Sequence, residues 1–182
     1  MTTTSDTISM VTRADHVPGP GQGHWTYNHY AALDDGQRYE IINGVLFMTP
    51  SPSGPHQDAV LRLSHYLLMY VEFADLGKVR VAPFDVELAP DMVVQPDVLV
   101  VLKANFDKIK HKRIVGAPDL VVEVSSPGTV KHDWREKFDT YARAGVSEYW
   151  LADPATRSVE IFALEGGTYH SLGTFSEQAK LR

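Results

Sequence analysis

The chain has no cysteine, which removes disulfides and thiolate metal sites and leaves oxygen and imidazole as the ligands it can offer a metal. Hard divalent cations, Mg²⁺ or Mn²⁺, therefore come first among candidate cofactors. No apolar run approaches the roughly 20 residues that cross a bilayer. The first residues, MTTTSDTISM, lack the basic start and apolar stretch of a secretory signal. A cytoplasmic protein without a membrane partner is expected. Positive charge is also scarce: 17 Lys and Arg stand against 23 Asp and Glu, a net charge of -6. Coating nucleic acid draws its affinity from clustered Lys and Arg, so any contact with phosphate here has to be local.

What is present is ordinary for a globular protein. The 182 residues, 43% hydrophobic and 22% charged, suffice for one buried core and are too apolar for a largely disordered chain. Residues 1–23 are rich in Thr, Ser, Pro and Gly without sustained periodicity and read as a flexible N-terminal arm. Residues 24–182 read as a single domain.

Within that domain Trp25 to Leu33 suits a short helix with Thr26 as N-cap. Tyr39 to Ile42 reads as a strand, and Asn43-Gly44, the strongest short hairpin signal, predicts that Val45 to Met48 returns antiparallel to it. Pro50, Pro52 and Pro55 mark a rigid loop. From about His56, apolar residues at Val60, Leu63, Leu67, Leu68 and Val71 recur at helical spacing. Lys78 to Ala82 and Phe84 to Leu88 read as strands broken at Pro83, and Asp97 to Leu102 and Leu120 to Val124 as β-branched runs from mid-sheet. His132 to Ala144 is amphipathic and stops at Gly145. Glu148 to Ala152, Val159 to Leu164 and Tyr169 to Leu172 complete the strands. The order predicts an α/β fold of α+β type, a central mixed sheet flanked by helices with an N-terminal β-hairpin. The chain ends at Leu181-Arg182 just after a strand and a turn-like Ser-Glu-Gln stretch, which suggests a missing last element.

Two carboxylates interrupt this pattern. A strand over Leu120 to Val124 puts Glu123 and Ser125 on one face and Leu120, Val122 and Val124 on the other. A carboxylate in a central strand loses several kcal/mol of hydration unless it is paired, hydrogen-bonded or bound to a cation. Asp97 raises the same question, because it follows Pro96 at the head of Val98-Leu99-Val100-Val101. Carboxylates on adjacent strands repel, and a divalent cation between them removes the repulsion. The alternative makes Asp97 a solvated residue at the start of its strand and Glu123 a partner for Arg or Lys.

Pro96-Asp97 on one strand and Glu123-Val124-Ser125 on the next resemble the PD-(D/E)XK nuclease signature, with Ser in the Lys position. The run Gly116-Ala117-Pro118-Asp119-Leu120-Val121-Val122-Glu123-Val124-Ser125-Ser126-Pro127, then Asp133, Lys137, Tyr141, Ala144-Gly145-Val146 and Glu148-Tyr149-Trp150-Leu151-Ala152-Asp153-Pro154, resembles the Uma-type restriction-endonuclease family. Tyr39-Glu40-Ile41-Ile42-Asn43-Gly44, Ser51-Pro52 and His56 extend the likeness toward the N-terminus. The resemblance implies a restriction-endonuclease-like core, an endonuclease acting on nucleic acid, with DNA first among substrates, and a homodimer. It carries over Glu40, Asp97, Glu123 and Lys137 as catalytic residues, with Asp97 and Glu123 on the metal. Lys137 borders the apolar face of its helix and can reach toward the sheet in place of the missing strand lysine; otherwise it forms an i,i+4 ion pair with Asp133. Glu40 completes the cluster or is an ordinary surface residue of its strand. His56 orients a ligand or water, or is structural. Asp85 and Glu87 share a strand face and read as solvated.

Lys103, Lys108, Lys110, His111, Lys112 and Arg113 form the one dense basic run. Such a run is usually solvated; if DNA binds, Lys108, Lys110, Lys112 and Arg113 are where phosphate contacts are expected.

Overall fold

The structure, a computed structural model, describes residues 12–125 and 131–176, with side chains throughout except at 131–135. In chain order its elements are β1 (Thr12–Arg13), α1 (Tyr27–Tyr30), β2 (Tyr39–Ile42), β3 (Val45–Met48), α2 (Gly54–Leu67), β4 (Gly77–Val81), β5 (Asp85–Ala89), β6 (Met92–Val94), β7 (Val98–Leu102), β8 (Arg113–Val115), β9 (Leu120–Val124), α3 (Lys131–Ala144), β10 (Glu148–Asp153), β11 (Ser158–Glu165) and β12 (Thr168–Ser176). A π turn, Leu68–Glu72, prolongs α2, and a 3-10 turn, Lys103–Lys108, follows β7. Among the described residues no helix is long and apolar enough to cross a membrane.

The strands form two mixed sheets rather than the single central sheet expected. The first runs β1-β3-β2-β6-β5-β8 and the second β12-β11-β10-β9-β7-β4. Two neighbouring pairs are parallel, β5 with β8 and β9 with β10. The division follows from the prolines. Between β4 and β5 the chain passes from the second sheet to the first at Pro83, and between β6 and β7 it returns at Gln95-Pro96. Proline has no N–H with which to continue a ladder. The Ala82 amide donates to the Asp97 carbonyl at 3.1 Å and ties the two crossovers together.

Alternation along the strands then sorts the side chains. Val98, Val100 and Val122 face α2 and pack on Leu67. Leu99, Val101 and Val121 face the other way, onto Tyr141 of α3, in a cluster that also takes in Val86, Val94 and Ile114 from the first sheet. Burying one such aliphatic side chain contributes about 1.5–3 kcal/mol, so this shared cluster is what joins the sheets.

The hairpin forms as expected, with Asn43 and Gly44 both at positive φ. A side chain at Gly44 would collide with the Gly23 carbonyl, 2.5 Å from the Cβ position. That approach shows what becomes of the expected arm. The Gly23 and Trp25 amides both donate to the Gly44 carbonyl, at 2.8 and 3.0 Å, and Ala14 donates to Leu46 at 2.9 Å. Ala14 and Trp25 are buried in the core of the first sheet, and β1 pairs with β3. Residues 12–23 thus lie along the sheet, held by main-chain hydrogen bonds that leave no periodicity in the sequence. Residues 1–11 and the Gln-containing end at 177–182 lie outside the described residues.

Candidate functional site

The crossover between the sheets gathers the polar residues that the sequence singles out. Glu123 shares the strand face of Val121, so its carboxylate turns toward α3. There the Tyr141 hydroxyl donates to Glu123 Oε1 at 2.7 Å and Lys137 Nζ reaches the same oxygen at 3.3 Å. Lys137 and Tyr141 lie four residues apart, one helical turn, on one face of α3. Lys137 also donates to Glu40 Oε1, at 2.8 Å. Glu40 stands on β2 of the first sheet and is 1% exposed, and the Gln95 main-chain amide donates to the same Oε1 at 2.8 Å.

Asp97 completes the group from the crossover itself. Val98 lies opposite Val122 in the ladder, and one step further sets Asp97 across from Glu123. Asp97 Oδ2 accepts the Val124 amide at 2.8 Å and pairs with His56 Nε2, from the first turns of α2, at 3.1 Å. Glu40, Asp97, Glu123 and Lys137 therefore converge, with His56 beside them. Glu40 is buried, against the surface alternative. The side chain of Asp133, the other partner considered for Lys137, lies outside the described residues.

Burial is the main reason the Glu123 carboxyl is pushed up to about 7; the Lys137 ammonium opposes the shift, and the Asp97 and Glu40 carboxylates reinforce it. For Lys137 burial favours losing the proton, but Glu123 and Glu40 outweigh it and hold the ammonium charged far up the pH scale. Burial and the two glutamates raise the Tyr141 hydroxyl well above the usual tyrosine range, so it serves as a donor. His56 is raised by its hydrogen bond to Asp97, against the effect of burial.

The donors fit a hard divalent cation in part. Three carboxylates, one of them raised toward the neutral form, stand at this junction with the Lys137 ammonium and the His56 ring, and a bound cation would favour the ionised form of Glu123. Among the described residues, the second oxygens of Asp97 and Glu123 take no hydrogen bond. No group of three or more His, Asp or Glu side chains forms a closed metal site among those residues. Mg²⁺ is commonly bound through one or two carboxylates, with water and substrate phosphate supplying the rest, and Asp97 and Glu123 match that pattern.

The basic run does not join the cluster. It lies on the 3-10 turn and on β8, the edge strand of the first sheet. Lys108 donates to the Ala117 carbonyl at 2.8 Å and Lys110 to the Asp107 carbonyl at 2.6 Å. Arg113 pairs with Glu87 at 2.6 Å and lies over the Tyr27 ring, 4.0 Å from its centre. Lys112 is exposed. Asp85 and Glu87 are thus engaged rather than solvated: Asp85 accepts from Tyr30 and Gln95, and burial raises its carboxyl.

Sequence reasoning passed over Tyr141 as a partner of Glu123, and Gln95 as an anchor of Glu40. Both had a signal. Tyr141 stands one turn beyond Lys137, and Gln95 is a polar residue closing the apolar run Met92-Val93-Val94 before a proline.

The Uma2 family, described as "Putative restriction endonuclease", matches residues 26–182. No curated protein matches the chain. Among solved structures, one described as "a putative nuclease belonging to DUF820" from Anabaena variabilis superimposes with a TM-score of 0.68 at 18% identity, covering 84% of this chain and 85% of that one. At this identity the likeness speaks to the fold, which is restriction-endonuclease-like as the sequence led one to expect.

Proposed function

This chain belongs to the Uma2 family, and we propose that it is a divalent-metal-dependent endonuclease of the cytoplasm that hydrolyses phosphodiester bonds in nucleic acid, with DNA as the preferred substrate. The observation that carries the reading is the meeting of Lys137 with Glu123 from one sheet and Glu40 from the other, beside Asp97. Asp97 and Glu123 would hold Mg²⁺ or Mn²⁺, which when bound supplies an acidified water and offsets charge developing at phosphorus. Lys137 brings to the cluster the positive charge that Ser125 cannot. Glu40 holds that ammonium from the opposite sheet, Tyr141 orients Glu123, and His56 with the Val124 amide fixes Asp97. A homodimer goes with this reading, and sedimentation equilibrium at a mass near 20.3 kDa, rather than twice that, would exclude it.

Plasmid and RNA cleavage in Mg²⁺, Mn²⁺ and EDTA tests the proposal. Wild type should cut only with metal, Asp97→Ala should be inactive, and Lys137→Met should cut at least about tenfold more slowly, equivalent to about 1.4 kcal/mol of transition-state stabilisation. Moving the ammonium back to the strand, Ser125→Lys with Lys137→Met, should recover part of the rate. Equal rates for wild type and Lys137→Met refute the lysine's role. Absence of metal-dependent cleavage favours a second reading, a non-catalytic binding or regulatory module on the same fold, which Ser125 and the net charge of -6 support.

A further inference from the structure

Arg38 stands two residues before Glu40. Its carbonyl accepts the Thr49 amide at 3.0 Å, which continues the hairpin ladder and puts the Arg38 side chain on the face of Glu40. The guanidinium is held by one edge only: Nε donates to Gln95 Oε1 at 3.2 Å. Gln95 is itself fixed, its Nε2 donating to Asp85 at 2.8 Å and to the Tyr30 hydroxyl at 3.1 Å. A flipped amide would turn its NH₂ toward the guanidinium and its oxygen toward the carboxylate, so these neighbours determine the orientation. Through its main chain the same residue anchors Glu40. One buried side chain thus sets the relative position of a cluster carboxylate and a guanidinium.

Among the described residues Arg38 has no carboxylate partner, and its two terminal nitrogens make no hydrogen bond. A half-buried guanidinium in that state beside an acidic cluster is unusual, because a nearby carboxylate would ordinarily claim it. A guanidinium fixed through Nε presents its terminal nitrogens in a planar fork that matches two oxygens of a phosphate.

We propose that Arg38, held edge-on by Gln95, binds the non-bridging oxygens of a phosphodiester at the carboxylate cluster. The identity of the substrate rests on the endonuclease reading above, while the phosphodiester site is testable without turnover. The full chain, free of metal, is titrated with thymidylyl-3′,5′-thymidine, a dinucleotide with a single phosphodiester, and binding is followed by calorimetry or chemical shift. Arg38→Gln should bind at least about tenfold more weakly than wild type, about 1.4 kcal/mol. Arg38→Lys, which keeps the charge and loses the fork, should fall between them, and Lys78→Gln, at a lysine paired with Glu72, should match wild type. Should Arg38→Gln fail to fold, Arg38→Lys decides by the same titration. Equal affinity in wild type and the folded Arg38 variant, or no binding by wild type, overturns the inference. If the dinucleotide depends on Arg38 while no nucleic acid is cleaved, the anion site stands and the endonuclease reading falls. If cleavage proceeds and Arg38→Gln leaves its KM and kcat unchanged, the endonuclease reading stands and the inference falls.

Discussion

Lys137 and the basic run from Lys103 to Arg113 carry the same kind of charge into opposite settings. Lys137 is a single ammonium, 18% exposed, clasped by carboxylates that lie 97 and 14 residues away in sequence. In the run, cations are dense in sequence but dispersed in space. Lys108 and Lys110 bond to carbonyls within the segment and its neighbour, and Arg113 is taken up by Glu87 and Tyr27. Density of charge along a chain therefore says where a segment is solvated. The place of a chemically useful cation is decided by which carboxylates the fold brings to it.

The comparison breaks most visibly on stability. Removing the partner of a buried charge leaves the survivor uncompensated, which costs about 3–5 kcal/mol. Glu40→Ala should destabilise the fold by that order in urea titration, since Lys137 and the Gln95 amide both lose their acceptor. Glu87→Ala, which frees the edge-strand Arg113, should cost only about 1 kcal/mol or less. Equal losses would show that the two settings are energetically alike.

A smaller effect sharpens the contrast from the other side. Lys108 and Arg113 are committed to internal contacts, so Lys110 and Lys112 are the members of the run best able to meet phosphate. Neutralising both to Gln should change stability by no more than about 0.5 kcal/mol. If the run touches DNA, it should also flatten the slope of log affinity against log salt by up to about 1.8, roughly 0.9 for each counterion-releasing contact. An unchanged slope removes the run from the interface and leaves Arg38 and Lys137 as the cations near the proposed substrate.

Much of the site was legible because buried charge is conspicuous. Glu123 inside Leu120-Val121-Val122 and Asp97 after Pro96 announce themselves against an apolar background, and the Asn43-Gly44 turn fixes the strand that carries Glu40. The division into two sheets was hidden, because Pro83 and Pro96 mark strand breaks without saying that the chain changes partner there. β6 and β8 are three residues each, too short for alternation to register, and β8 begins at Arg113, the last residue of a run that reads as solvated. Asp85 read as solvated, and nothing in the sequence singled out Arg38. Their tie through Gln95 spans 57 and 10 residues, and no local pattern encodes it.

The clasp of Lys137 by Glu40 across the two sheets has a consequence for how the molecule can be taken apart. Glu40, His56 and Asp97 precede the basic run, and Glu123, Lys137 and Tyr141 follow it. A cut within that run divides the cluster into two incomplete sets: Glu40 is left without its ammonium on one piece, and Lys137 keeps only Glu123 on the other. Reassociation of the pieces would have to restore the Lys137–Glu40 contact between the sheets. The cluster thus behaves as a coincidence detector, complete only when both parts of the chain are folded against each other.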